Sequence, residues 1–159
     1  DYINDGTIDF IGSDHAPFTL EEKMQGQDDI FKAFCGFPGV DTRLPLMLDA
    51  AANGKTTLKR VIELLCTNPA KCFNIYPQKG ILAAGADADI VIFDMNDTMT
   101  IDRTKSYSMA REIARVYDGR ELKCKLNYTI VRGRVLMEDG VVDTEAKGYG
   151  ELVKPAEKV

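Results

Sequence analysis

Hydrophobic residues are spaced in two different ways along this chain, and the change comes near Gly80. Residues 7–13 form a short apolar run that leads into a Gly-Ser-Asp-His sequence, which favours a buried parallel strand. Further on, one apolar stripe at helical spacing consists of Leu58, Val61, Ile62 and Leu65. After Gly80 the apolar runs are shorter and are separated by turn residues. The pattern therefore predicts a strand followed by helices, and then a group of β strands.

Three helices are predicted before Gly80. Asp41 is a suitable N-cap for a helix over about 42–52. A second helix is expected over about 57–66, and Asn68-Pro69 caps and starts a short third one, because a proline at the first helical position has no hydrogen bond to lose. The stretch 15–40 has no clear period, so we expect a long functional loop there.

The apolar runs and turn residues of the second half predict a meander of β strands. Strands are expected at 89–94, 98–101, 128–131, 134–137 and 141–142. Asp139-Gly140 is typical of a hairpin turn. Residues 102–123 are expected to form a surface excursion, and the tail after Thr144 an extended or frayed terminus. One strand with its helices cannot close a sheet alone, so we expect the end of a larger fold.

Composition narrows the class of protein. The 159 residues include 25 acidic and 20 basic ones, a balance that argues against nucleic-acid binding. No apolar run approaches a membrane span and no leader opens the chain, which begins with Asp1 rather than Met. The four cysteines form no Cys-x-x-Cys pair and His15 is the only histidine, which excludes a zinc finger. Cysteines this sparse favour a reduced, cytoplasmic protein.

Asp14 is the strongest candidate for an active-site residue. It follows the strand predicted over 7–13, and β/α barrels keep their active sites at the carboxyl ends of their strands. The alternative is that Asp14 caps the turn before Pro17, which is an ordinary role for aspartate. Position alone favours the capping role and leaves both open.

Four short motifs occur in one order along the chain, and each is weak alone. They are Ser-Asp-His-Ala-Pro-Phe at 13–18, Phe-Pro-Gly-Val-Asp-Thr-Arg-Leu-Pro at 37–45, Asn-Pro-Ala-Lys at 68–71, and Lys-Gly-Ile followed by Gly-Ala-Asp-Ala-Asp-Ile-Val at 79–91. In this order they resemble the C-terminal third of the cyclic amidohydrolases, which include dihydroorotase, hydantoinase (dihydropyrimidinase) and allantoinase. The resemblance covers roughly residues 7–142.

The resemblance implies an α/β fold. Residues 1–79 would be the last strand and helices of a metal-dependent hydrolase TIM-type barrel, and 80–145 the C-terminal part of a small β-sandwich domain. Residues 146–159 would be a tail. It also implies a small cyclic-amide substrate and a homo-oligomer, either a dimer or a tetramer. The acidic balance and the lack of a long apolar run predict no nucleic-acid and no membrane partner.

The resemblance further implies a centre of two divalent metal ions, usually zinc. Asp14 matches the aspartate that ligates one metal, takes the proton from the bridging hydroxide and passes it to the leaving nitrogen. The family's other ligands are absent from this chain, so we expect the isolated chain to be inactive. Two roles stay open for His15, second-layer support of the metal site or packing under the loop. Cys35 and Gly36 match a substrate-binding loop, and a turn without ligand contact is the alternative.

The motifs do not select one substrate. Residues 19–23 are dihydroorotase-like, whereas Phe18 and residues 38–43 resemble hydantoinases, which often carry Asn at the position of Cys35. The substrate is thus dihydroorotate or a hydantoin or dihydropyrimidine. The alternative function is a non-catalytic, dihydropyrimidinase-related scaffold protein of the same fold. An unrelated α+β binding module would require the ordered motifs to be accidental.

Overall fold

The computed structural model describes residues 1–156, which form a helical half followed by a β half. The helices are α1 (Leu20–Met24), α2 (Val40–Ala52), α3 (Leu58–Ile62) and α4 (Asn68–Cys72). The strands are β1 (Ile90–Asp94), β2 (Met99–Thr100), β3 (Glu121–Leu122), β4 (Lys125–Val131), β5 (Arg134–Glu138) and β6 (Val141–Val142). None of the helices in this part of the chain has the length and apolar character needed to cross a membrane.

The helix ends differ in two places from the sequence prediction. Gly39, not Asp41, is the N-cap of α2, and Asp41 lies in its first turn, where a carboxylate favours the positive end of the helix dipole. Asn68 does not cap a separate helix, because a π-helical turn over Glu63–Thr67 joins α3 directly to α4. The Asn68 side chain instead donates to the Asp9 carbonyl, at 2.8 Å.

The apolar segment at 7–13 is not a paired strand in this structure. Its only β-type contact is a bridge just beyond it, between His15 and Phe37, and residues 1–156 supply no strand beside it. Helices hold it instead. Ile11 N–H donates to the Leu64 carbonyl at 3.1 Å, and Arg43 donates to the Ile11 carbonyl at 3.2 Å. A segment forms a β strand only when a neighbouring strand hydrogen-bonds to it, and the described residues contain no such neighbour at this place.

The larger sheet has the order β1-β4-β5-β6, with every pair antiparallel. The turn between β5 and β6 is the predicted Asp139-Gly140 hairpin, with φ of 46° and 84°, both in the left-handed region that a type I′ turn requires. β2 and β3 form a separate two-stranded ladder.

The hydrophobic core lies between α2, α3 and the two sheets. Its central side chains are at most 8% exposed and are Leu48, Val61, Ile101, Leu122 and Cys124. The prediction that 102–123 is a surface excursion is therefore wrong for Ala110 and Leu122, which are fully buried. Apolar and polar residues do not alternate over a long enough stretch there for the sequence to show which side chains are buried.

Buried Asp49 of α2 fastens this helix to the β half. Its carboxylate accepts hydrogen bonds from Lys123 N–H at 3.0 Å and Arg120 Nη2 at 3.1 Å, and Asn53 also donates to it. Burial alone would raise the pKa of Asp49, but these donors outweigh it and hold the pKa below its usual value. Asp49 is therefore ionised and stabilising at neutral pH.

The helical apolar stripe is only partly covered. Val61 is buried, whereas Leu58 and Ile62 are 37% and 47% exposed. They face a groove of about 590 Å³ between the α3–α4 run and strands β1 and β4. An open apolar face on these helices agrees with the expectation of a larger fold.

The tail after Thr144 is held to the rest of the chain by specific contacts. The Tyr149 ring lies 4.3 Å from the Arg132 guanidinium and 5.3 Å from that of Arg134, and its hydroxyl donates to the Val131 carbonyl. Ala156 N–H then donates to the Asn74 carbonyl at 2.7 Å. Of the two predicted forms, an extended or a frayed terminus, these contacts exclude the frayed one as far as residue 156, and residues 157–159 lie outside the described part.

Candidate active site

Asp14 lies where the N-terminal apolar segment ends. Its φ of 44° is in the left-handed region, which aspartate tolerates better than most residues. The side chain is exposed, and within residues 1–156 its carboxylate has neither a hydrogen-bond nor an ion-pair partner. The structure therefore gives no support to a capping role and leaves both carboxylate oxygens available to a ligand.

The segment after Asp14 lies directly beside the predicted substrate loop. His15 and Phe37 form a parallel bridge, in which Ala16 N–H donates to the Phe37 carbonyl at 3.1 Å. The His15 imidazole accepts a hydrogen bond at Nδ1 from Val40 N–H, at 3.3 Å, in the first turn of α2. His15 is thus a contact between the Asp14 segment and the start of α2, with Nδ1 as the acceptor.

Two glycines make this close approach possible. Gly36 has a φ of 135°, and a Cβ atom there would lie 2.2 Å from Ala16 Cβ. At Gly39 a Cβ atom would lie 3.1 Å from the Ser13 carbonyl oxygen. Any larger residue at position 36 would push the loop away from the Asp14 segment.

Cys35 is exposed at the tip of this turn. Its thiol makes one weak contact, 3.9 Å from the Ala33 carbonyl. In the described part of the chain its backbone N–H and carbonyl have no hydrogen-bond partner. The N–H and carbonyl of Cys35 and the N–H of Gly36 are therefore free next to the Asp14 segment, and these groups can bind a small amide.

Sequence reasoning missed α1 and Lys23. Thr19 accepts a hydrogen bond from Glu22 N–H at 3.2 Å, while Glu22 accepts one from Thr19 N–H at 2.7 Å. This reciprocal capping box is visible in the sequence as Thr-x-x-Glu, and it could have located the helix. Lys23 lies in its last turn and donates to the carbonyls of Phe34 and Gly36.

An aromatic pair forms one side of the turn. The rings of Phe18 and Phe34 are 5.0 Å apart, and Phe18 Cε2 lies 3.4 Å from the place of a Gly36 Cβ. Lys23 Nζ lies 5.6 Å from the centre of the Phe18 ring. The surface beside Cys35 is therefore largely apolar.

One side chain of the candidate site is chemically suited to a divalent metal. Residues 1–156 contain no group of three histidine, cysteine or acidic side chains that could hold an ion. A hard or borderline divalent metal accepts a carboxylate oxygen as ligand, and the unpartnered Asp14 carboxylate fits that role. Asp14 is therefore one candidate ligand for such a metal, and residues 1–156 hold no complete site.

The family model described as "Amidohydrolase family" matches residues 1–136, most of the chain. The chain belongs to the amidohydrolase family.

Curated relatives show which members of the family this chain is similar to. The chain is 39% identical over 152 residues to an L-hydantoinase of Paenarthrobacter aurescens, which covers 95% of this chain and 32% of that protein. It is 38% identical over 135 residues to a dihydroorotase of Methanosphaera stadtmanae, covering 85% of this chain and 30% of the relative. The chain thus spans about a third of the length of the curated relatives it matches.

Solved structures confirm the fold. The L-hydantoinase (dihydropyrimidinase) from Arthrobacter aurescens matches with a TM-score of 0.81 and 38% identity, over 90% of this chain and 32% of that one. A D-hydantoinase from a Thermus species matches with a TM-score of 0.85 and 30% identity, over 98% and 33%. The resemblance to the cyclic amidohydrolases and the expected fold class are therefore confirmed.

Proposed function

We propose that this chain is the C-terminal part of a metal-dependent cyclic amidohydrolase, an enzyme that hydrolyses the amide bond of a small ring. In this proposal residues 1–79 complete a β/α barrel, residues 80–145 belong to a β-sandwich, and 146–159 are a tail. The whole protein is a cytoplasmic homo-oligomer. Its activity needs residues from outside this chain.

The observation that carries the proposal is the pairing of Asp14 with the Cys35–Gly36 turn. A carboxylate without a protein partner stands at the end of one segment, and unpaired peptide groups stand at the tip of the adjoining loop. Ring opening requires both, since one group must move a proton and others must hold the amide in place. The names of the relatives, hydantoinase and dihydroorotase, support the same reaction class.

In the reaction, Asp14 serves as general base and then general acid. Two divalent metals, when bound by Asp14 and ligands outside this chain, would polarise the carbonyl and lower the pKa of water. Asp14 takes a proton from the attacking water and returns it to the ring nitrogen as the amide bond breaks. His15 helps to hold the Asp14 segment on α2, through its contact with Val40.

The Cys35–Gly36 turn binds the substrate. The peptide N–H groups at 35 and 36 can donate to a ring carbonyl, and the Cys35 carbonyl can accept from a ring N–H. Beside them Phe18 and Phe34 offer an apolar wall, and the ammonium of Lys23 is already bound to two carbonyls. This surface favours a hydantoin or dihydropyrimidine over dihydroorotate, whose carboxylate would lack a cation here.

The test is to assay the whole protein that contains this chain, with added Zn²⁺, on hydantoin, dihydrouracil and dihydroorotate at equal concentrations. We expect ring opening of hydantoin or dihydrouracil to be the faster reaction. Fastest turnover of dihydroorotate would overturn the substrate assignment. No turnover of any cyclic amide would overturn the enzymatic proposal and favour the non-catalytic scaffold.

The exposed apolar residues of the loop between α1 and α2 support self-association. Ile30 is 75% exposed and Phe31 is 96% exposed, which is unusual for adjacent large apolar side chains. Size-exclusion chromatography with light scattering on the whole protein is expected to give a dimer or a tetramer. A monomer at micromolar concentration would contradict this part of the proposal.

A further inference from the structure

We propose that Lys23 is a positioning residue that fixes the Cys35–Gly36 turn for substrate binding. This inference rests on the proposed function, because it assigns a role within the same site. Lys23 Nζ donates to the Gly36 carbonyl at 2.7 Å and also donates to the Phe34 carbonyl. One ammonium therefore holds the carbonyls on both sides of Cys35.

The short helix α1 sets the place of this ammonium. The Thr19–Glu22 capping box fixes the first turn, and Lys23 N–H donates to the Thr19 carbonyl at 3.1 Å. The side chain then passes the Phe18 ring, with Nζ 5.6 Å from its centre. The cation is thus anchored on the segment that follows Asp14 and reaches across to the opposite loop.

The consequence concerns the peptide groups of Cys35. If the carbonyls of Phe34 and Gly36 were free, the turn could rotate either peptide toward solvent. With both held by Lys23, the N–H and carbonyl of Cys35 and the N–H of Gly36 are the peptide groups of the turn that have no partner among residues 1–156. A cyclic amide carries one N–H and one carbonyl side by side, so it matches the N–H and carbonyl of Cys35. Lys23 acts on the substrate through the turn and makes no contact with it in this assignment.

The experiment compares Lys23→Met and Lys23→Arg in the whole protein. Methionine is unbranched and one atom shorter than lysine, and it carries no charge, so we expect KM to rise about tenfold with little change in kcat, the signature of lost substrate binding. Arginine restores donors to the carbonyls and is expected to keep KM within about threefold of the original. An unchanged KM in Lys23→Met would overturn the inference.

Lys32 is the matched control. It lies in the same loop, its side chain is 70% exposed, and its nearest acidic partner is Asp29 at 3.8 Å. Lys32→Met removes the same charge without touching the turn, so its KM is expected to stay unchanged. An equal rise of KM in Lys32→Met and Lys23→Met would show a general charge effect and would overturn the specific role of Lys23.

A second measurement separates this inference from the proposed function. Ala16 N–H is hydrogen-bonded to the Phe37 carbonyl of the turn, so its hydrogen exchange reports how often the turn opens. We expect exchange at Ala16 to be about tenfold faster in Lys23→Met and unchanged in Lys32→Met. If the unsubstituted protein opens no cyclic amide, the proposed function fails, and the exchange rates alone decide whether Lys23 positions the turn. Equal rates in all variants would then overturn the positioning role.

Discussion

The core around Leu122 and the site around Asp14 are opposite in character. Leu122 is fully buried and belongs to a cluster closed entirely by described residues of this chain. Asp14 and Cys35 are exposed and have no side-chain partner that explains their position. The core is complete in itself, whereas the proposed function gives the site groups a substrate and residues outside this chain as partners. Substitutions in the two regions should therefore affect different properties.

The largest effect is expected from Asp14→Asn. The amide cannot accept and return a proton, so kcat of the whole protein on its best cyclic amide should fall about a thousandfold, with the free energy of unfolding nearly unchanged. Asp9→Asn is the control, since Asp9 is an exposed acid of the same segment. Retention of more than a tenth of the activity in Asp14→Asn would contradict the assignment.

Leu122→Ala should act on stability. Truncation of a fully buried leucine is expected to lower the free energy of unfolding by about 3 kcal/mol, through lost burial and a cavity. Urea denaturation measures this loss. Leu152→Ala, at a position 87% exposed, should change stability by less than about 0.5 kcal/mol. Equal losses in the two variants would mean that Leu122 is not in a closed core.

Asp49→Asn tests the buried charge in the core. Its hydrogen-bonded, ionised carboxylate should contribute about 1–3 kcal/mol at pH 7. Because the folded pKa is lowered, that contribution is present above the unfolded pKa, near 4, and is lost as the pH falls through the folded value. The difference in unfolding free energy between Asp49→Asn and the original protein should therefore shrink below pH 4. Asp28→Asn, on the exposed loop, is the control and should change the free energy of unfolding at pH 7 by less than about 0.5 kcal/mol.

The smallest effect is expected from Thr19→Ala in the site region. Loss of the cap of α1 should cost about 0.5–1 kcal/mol, and should loosen the helix that carries Lys23. Hydrogen exchange over α1 measures this loosening. Thr100→Ala, at an exposed position of β2, is the control and should leave that exchange unchanged. Protection of α1 that survives the loss of Thr19 would show that the capping box does not hold this helix.

Local signals in the sequence predicted much of the fold. The Asp139-Gly140 turn, the strands next to it and the buried face at Val61 all follow from neighbouring residues. In two places the outcome depended on distant contacts instead. The 7–13 segment lacks a neighbouring strand, and Tyr149 is ordered by arginines more than a dozen residues earlier.

The candidate site was predictable in a different way. Asp14, Cys35 and Gly36 were selected by resemblance, because no periodicity distinguishes an exposed aspartate from an ordinary turn residue. The structure brings their two segments together, and the roles of these residues stay predictions. Lys23 could not have been selected from the sequence, because its contacts are carbonyls 11 and 13 residues further along. A surface lysine of this kind has no sequence signature.

The most direct test of the account is to compare the isolated 159-residue chain with the whole protein, each supplied with Zn²⁺, desalted, and assayed for bound metal and for opening of hydantoin and dihydrouracil. Circular dichroism on the same samples verifies that the isolated chain retains its helices and strands. The account predicts bound metal and turnover in the whole protein, and neither in the isolated chain. Stoichiometric metal with turnover by the isolated chain, or an inactive whole protein, would contradict it.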